Sequence, residues 1–282
     1  MSLPPPSSNQ AYCDVSALEA GHVRLPTERF IHDGKPGEVV AAPSLSFLLR
    51  HSKTGHKFLF DLGIRKDWEN YPPATVRFIK NDPRIDVKQD VFESLQKGGL
   101  TPAGYRHHLP IAPPLRPYRG HKAVREQYIP ADLESGFASD LLPAGRTKFL
   151  DMEEWESLGP FPRALDYYGD GSLYIIDAAG HLPGHINVIV RTSNDGGWLL
   201  LGGDSAHHWR LVTGESRIAD VDLTGRPGGC AHVDKKAAEK NLERMRAFMQ
   251  LPRTRILLAH DEPWYSENKD GDAFLPGKIP SV

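Results

Sequence analysis

A chain of 282 residues, 39% hydrophobic and 25% charged, is long enough to bury a sizeable core and has the composition of a soluble globular protein. A formal net charge of −2, with no block of like charges, disfavours nucleic acid or an anionic membrane surface as a partner. No apolar run has the length of a bilayer span, and Cys13 and Cys230 are too few for a disulfide framework, so a cytoplasmic location is expected.

The opening, MSLPPPSSNQ, has neither the charged nor the apolar region of a secretory signal. Residues 1–10 are expected to form a flexible N-terminal arm and residues 11–282 a single domain. LSFLLRHSKTGHKFLFDLG, Leu45 to Gly63, reads as two strands joined by a polar turn. RIDVKQDVFESLQKGG predicts a helix stopped by Gly98 and Gly99. SLYIIDAAG is a strand rich in β-branched and aromatic residues. HINVIVRTSNDGGWLLLGGD is a hairpin, two apolar runs around a turn signal. VDKKAAEKNLERMRAFMQL predicts a second helix ended by Pro252, and RILLAH a short buried strand after it. No linker divides the chain, which gives one domain of strands and helices built on two packed sheets.

Between Gly104 and Lys122 this order fails. GYRHHLPIAPPLRPYRGHK is rich in proline and basic residues and has no apolar periodicity. Its prolines cannot donate ladder hydrogen bonds, which excludes a central strand. His107 and His108 are adjacent, so on an extended chain they face opposite ways, and His121 lies beyond the prolines.

Three loops that follow apolar strands carry the candidate chemistry. They are AAGHLPGH with His181 and His185, LLLGGDSAHH with Asp204, His207 and His208, and ILLAHDEP with His260 and Asp261. Strand ends converge side chains from distant parts of a chain, and histidine with aspartate is the ligand set of a catalytic zinc. Any one loop is weak evidence; the three in this order are specific.

With FLFDLG around Asp61, these motifs resemble the metallo-β-lactamase superfamily, most of all its lactonase and lactamase branch including fungal members, from about Ala11 to the C-terminus. The resemblance implies an α+β fold of the αββα type, a four-layer sandwich disrupted here in its first half, with two zinc ions at one edge. It implies that His181 binds the first zinc, Asp204 bridges both and His260 binds the second, while His185 and Asp61 support them from behind. It implies a hydrolase that opens a cyclic ester, lactam or cyclic carbamate by zinc-bound hydroxide. Where some such lactonases carry a tyrosine three residues after the bridging aspartate, this chain has His207, expected to donate a hydrogen bond or proton to the leaving group. That departure leaves acyl-homoserine lactones no better supported as substrates than lactams or plant cyclic carbamates such as benzoxazolinones.

The family signature H-x-H-x-D-H is absent from the chain. Its place is taken by the anomalous segment, and permitted codons for Tyr105–Lys122, read from their second base, encode IDTIYLSHLHYDHTGDT. The segment is therefore compatible with a displaced reading frame, expected to open near Gly104 and close near Lys122, whether through a gene-model error or a real lesion. Relatives also carry further residues before KAVREQYIPADLESGF. With two ligands left per metal, one of them shared, the chain as written is expected to bind zinc poorly and to be impaired or inactive as a hydrolase. The alternative is a catalytically dead pseudoenzyme.

Overall fold

A computed structural model describes residues 2–81, 85–101, 108–109, 150, 152–221 and 230–282. Eleven strands are described: β1 Cys13–Pro26, β2 Val39–His51, β3 Lys57–Phe60, β4 Ile85–Asp86, β5 His108–Leu109, β6 Glu156–Leu158, β7 Phe161–Asp166, β8 Leu173–Asp177, β9 Ile186–Arg191, β10 Trp198–Leu201 and β11 Thr254–Leu257. The helices are α1 Pro73–Asn81, α2 Val91–Lys97, α3 Trp209–Thr213, α4 Lys235–Met249 and α5 Glu262–Asn268. The strands form two sheets, ordered β4-β1-β2-β3-β5 and β11-β10-β9-β8-β7-β6.

Alternation along the strands sets the layers, because successive side chains point to opposite faces. Val15, Phe47, Phe58 and Phe60 of the first sheet pack with Ile175, Val188, Leu199 and Leu257 of the second in one core. The residues between them face outward: Leu18, Leu48 and Leu59 meet Leu95 of α2, and Ile189, Leu200 and Ile256 meet Leu242, Met245 and Phe248 of α4. Helix, sheet, sheet and helix follow one another, the expected αββα sandwich. Each fully buried apolar side chain contributes about 1.5–3 kcal/mol.

The predicted hairpin is β9–β10, paired antiparallel from Trp198↔Arg191 to Leu201↔Val188. α4 starts where Asp234 accepts a hydrogen bond from the amide of Ala237. The first predicted helix is shorter than its apolar pattern. Asp90 and Glu93 form a capping box that starts α2 at Val91, and Ile85–Asp86 pairs with β1 instead.

Three hydrogen bonds join residues of the N-terminal arm to the second sheet and its β7–β8 loop. Arg191 lies buried against the Trp198 ring at 4.1 Å and donates to the carbonyls of Pro4 (2.7 Å) and Pro5 (3.1 Å). Gln10 Nε2 donates to Asp170 O at 2.8 Å. Of the anomalous segment only His108 and Leu109 are described, pairing parallel with Leu59 and Phe60 at a sheet edge. The displaced frame, with His107 and His121, otherwise lies outside the described residues. Among the described residues no helix is long and apolar enough to cross a membrane.

Candidate metal centre

β10 and β11 run parallel with Leu201 opposite Leu257. Three residues further along each strand stand Asp204 and His260, so the register alone brings them to one edge at one level. Gly202 N donates to Leu257 O (2.8 Å) and Ala259 N to Gly203 O (3.1 Å), which holds the two loops together beyond the strands. The loop between β8 and β9 turns at the same end and carries His181.

The distances follow. His260 Nε2 is 3.1 Å from Asp204 Oδ1, His207 Nε2 is 3.8 Å from the same oxygen, and His181 Nε2 is 3.8 Å from Oδ2. Asp204, His207 and His260 have ligand atoms all within 4.8 Å of one another. His260 Nδ1 lies 2.8 Å from the Pro43 carbonyl, which selects the tautomer that turns Nε2 to the centre. Phe30 packs on the His207 ring with centroids 4.9 Å apart.

Burial alone would raise the Asp204 carboxyl, but the hydrogen bond to His260 and the surrounding imidazoles hold it well below the usual range. Burial alone would lower His260, and its bond to Asp204 raises it instead. His181 and His207 are lowered by burial, so they are neutral and present lone pairs, the form in which histidine binds a metal. One carboxylate among imidazoles, with the buried Nδ1 of His207 lacking a hydrogen-bond partner, is a donor set that fits zinc.

Behind the centre, Asn187, Ser205 and Asn241 form a buried polar chain. The Asn187 amide is best oriented with its nitrogen toward Ser205 Oγ (2.8 Å) and Gly202 O (3.0 Å), and Asn241 Nδ2 donates to Ser205 Oγ at 2.9 Å. This chain fixes the turn that carries Asp204. Gly180, at φ 153°, lets the His181 loop lie on α4, where a Cβ would stand 2.5 Å from the Ala238 amide nitrogen. Gly180→Ala is expected to cost about 1–3 kcal/mol and to weaken metal binding by moving His181. Unchanged urea unfolding and unchanged zinc affinity would contradict this.

Comparison with known proteins places this arrangement. The chain is 34% identical to the gamma-lactamase MBL2 of Gibberella moniliformis over 179 residues, 53% of this chain and 70% of that relative. It belongs to the metallo-β-lactamase superfamily. Within the superfamily it falls in the lactonase and lactamase branch, being 29% identical to the gamma-lactamase FDB1 of Fusarium pseudograminearum over 73% of its length and 57% of that relative. A stretch of 319 aligned residues, covering 99% of this chain, is 30% identical to the cytochrome P450 monooxygenase mpaDE′ of Penicillium brevicompactum. The chain spans about a third of the length of that relative, 36%. No protein-family model matches. The fold is shared with an N-acyl homoserine lactone hydrolase solved with N-hexanoyl-L-homoserine at its catalytic metal center, at TM-score 0.65 and 16% identity, over 99% of this chain and all of that one.

The structure brings together His181, Asp204, His207 and His260, all read from the sequence of this superfamily member. His207 stands with Asp204 and His260, the ligand atoms of the three within 4.8 Å of one another, a grouping that could hold a cation. Among the described residues, one group of three could hold a cation, and His181 Nε2 lies 3.8 Å from the other oxygen of Asp204. His185 sits behind His181 with ring centroids 5.8 Å apart, its Nδ1 3.3 Å from Ala178 O, and burial pushes it down to about 3. His208 caps α3, its Nδ1 accepting from the Arg210 amide at 3.1 Å. Asp261 accepts from Trp209 Nε1 (2.7 Å) and from the amides of Leu258 and Trp264, a structural anchor. His232 was missed by sequence reasoning. Its ring stands 5.5 Å from that of His181 and 5.6 Å from that of His207.

Asp61 adopts φ 65° and accepts hydrogen bonds from the amides of Leu62 (2.6 Å) and Gly63 (2.8 Å). Burial, reinforced by the Asp204 charge, pushes its carboxyl up to about 7. In the metal-free protein the folded state keeps a proton that the unfolded chain releases near pH 4. Stability therefore falls between about pH 4 and pH 7 and levels off above. Asp61→Asn suits the left-handed backbone and is expected to remove this slope, a gain on the order of 4 kcal/mol at pH 8. Urea midpoints of chelator-treated protein measure it; a variant that keeps the slope refutes the assignment.

Proposed function

We propose that this chain is a metal-dependent hydrolase that opens a lactone, lactam or cyclic carbamate ring, with a single cation site in place of the pair its relatives' fold implies. The observation that carries the reading is the convergence of Asp204, His207 and His260 within 4.8 Å. The gamma-lactamase relatives supply the substrate class. Zinc held by these three groups, with His181 alongside, would polarise a ring carbonyl and lower the pKa of a bound water to about 7. Asp204 supplies the negative charge that balances the cation. His181 and His207, kept neutral by burial, offer lone pairs. Pro43 orients His260, and Phe30 shields one face of His207 from water.

A second reading, a pseudoenzyme with no turnover, is favoured by the absence of H-x-H-x-D-H from the sequence. The two separate on one preparation. Zinc per chain is measured together with hydrolysis of a panel of γ-lactones, γ-lactams and benzoxazolinones. The proposal expects a single zinc and slow ring opening that His260→Ala removes. No zinc uptake and no turnover would establish the pseudoenzyme.

A further inference from the structure

His232 has no role in the reading above, yet its placement is not that of an ordinary buried histidine. It is 5% exposed, and its Nδ1 is buried without a hydrogen-bond partner, as is Nδ1 of His207. Buried ring nitrogens ordinarily find partners, as Nδ1 of His260 does at Pro43, and the orphaned ones, Nδ1 of His181, His207 and His232 with Nε2 of His185, fall in one cluster. The backbone around His232 is fixed in register with the loop that carries His181. Val233 N donates to His181 O at 3.0 Å and Asp234 N to Gly180 O at 2.9 Å, while the Cys230 thiol bonds the main chain of His232 on the other side.

The rings of His181, His207 and His232 form a near-equilateral triangle, with centroids 5.2, 5.5 and 5.6 Å apart. Three imidazoles that meet one zinc at nitrogen distances of about 2.0–2.1 Å have centroids roughly 5 Å apart. Ligation by all three would require the rings to turn toward a common point, since their nitrogens do not form such a group as placed. His181 stands alongside the single site proposed above and, among the described residues, outside the group of three that carries it.

We propose that His232 is a metal ligand of this chain, acting beside His181 where the missing motif leaves nitrogens wanting. The inference rests on the metal-dependent reading of the site and adds a ligand to it. The test takes the full chain, stripped with chelator, and titrates it with zinc against a chromophoric chelator and with cobalt(II) followed by visible absorption. The unaltered chain, His232→Gln, His232→Cys and Asp204→Asn are compared. His232→Gln is expected to weaken zinc binding by at least about 10- to 100-fold and to dim the cobalt band, with the metal-free melting temperature unchanged. His232→Cys is expected to restore affinity and to add a sulfur-to-cobalt charge-transfer absorption that the unaltered chain lacks.

If His232→Gln binds both metals as the unaltered chain does while Asp204→Asn binds neither, the centre stands and His232 is not part of it. If the unaltered chain takes up neither metal, the reading of the site and this inference fall together. Should His232→Gln not fold, the His232→Cys spectrum decides: the charge-transfer band supports ligation and its absence overturns it.

Discussion

Rewriting residues 105–122 as IDTIYLSHLHYDHTGDT is expected to raise the zinc content from one ion per chain to two, and to accelerate ring opening by more than about 100-fold. Loss of a partner that only orients a ligand already costs roughly 10- to 100-fold, and here an entire ligand motif is missing. The argument is geometric. Histidines two apart on an extended chain point to the same face, and the Asp-His that follows turns toward a second metal. His108 and Leu109 already pair with Leu59 and Phe60 at the sheet edge. In the displaced frame these two positions become Ile and Tyr of the seven-residue run IDTIYLS. Pro110, which follows them in sequence, has no amide to donate to a ladder. The alignment with the Penicillium relative covers 319 residues, more than the 282 of this chain, so the relative carries residues that this chain lacks. Zinc content that stays at one ion in the rewritten chain would refute the displaced-frame account. The transcript across Gly104 to Lys122 gives an independent readout, a one-base displacement.

The second sheet was legible because its strands announce themselves. β9 and β10 are short apolar runs around SNDGG, and the six residues from Ile186 to Arg191 are buried throughout. α4 has its cap at Asp234, an apolar stripe and a proline beyond its end. The first sheet was less legible. β1 mixes polar residues with Gly21, and its register shifts between Glu19 and His22, so no clean period of two runs through it. The contacts of Pro4 and Pro5 were not legible at all, because their partner Arg191 lies 187 and 186 positions away in sequence. In the site, the strand-end motifs offered His181, Asp204 and His260 as candidate ligands, and the parallel register of β10 and β11 explains why Asp204 and His260 meet. His232 does not follow a strand; two backbone hydrogen bonds between the 180–181 and 233–234 segments bring it in. Such a bond carries no mark in the sequence.

Asp204→Asn is expected to weaken zinc binding by more than about 100-fold, the largest loss of any single substitution in the centre. Asp204 is the carboxylate within the three-member set and faces His181, His207 and His260 through its two oxygens. An amide removes the charge that balances the cation and turns a donor toward imidazole nitrogens that need to be left free. The metal-free protein provides a separate test. Asp204 is held below its ordinary value of 3.8, so its contribution to stability is present above that pH and fades as pH falls through the folded value. His260 is raised above 6.5, so its contribution is complete below that pH and fades as pH climbs through the raised value. The two overlap between about pH 4 and pH 6.5, where the half-buried pair is fully charged, so the cost of breaking a fully buried pair is an upper bound here. Breaking such a pair by removing one partner costs about 3–5 kcal/mol. The chelator-treated variant should therefore lose most stability near pH 5–6 and approach the parent above the raised His260 value. A loss that is uniform from pH 5 to pH 9 would mean that the carboxylate acts through packing alone, and the charge pairing assigned to this centre would be wrong.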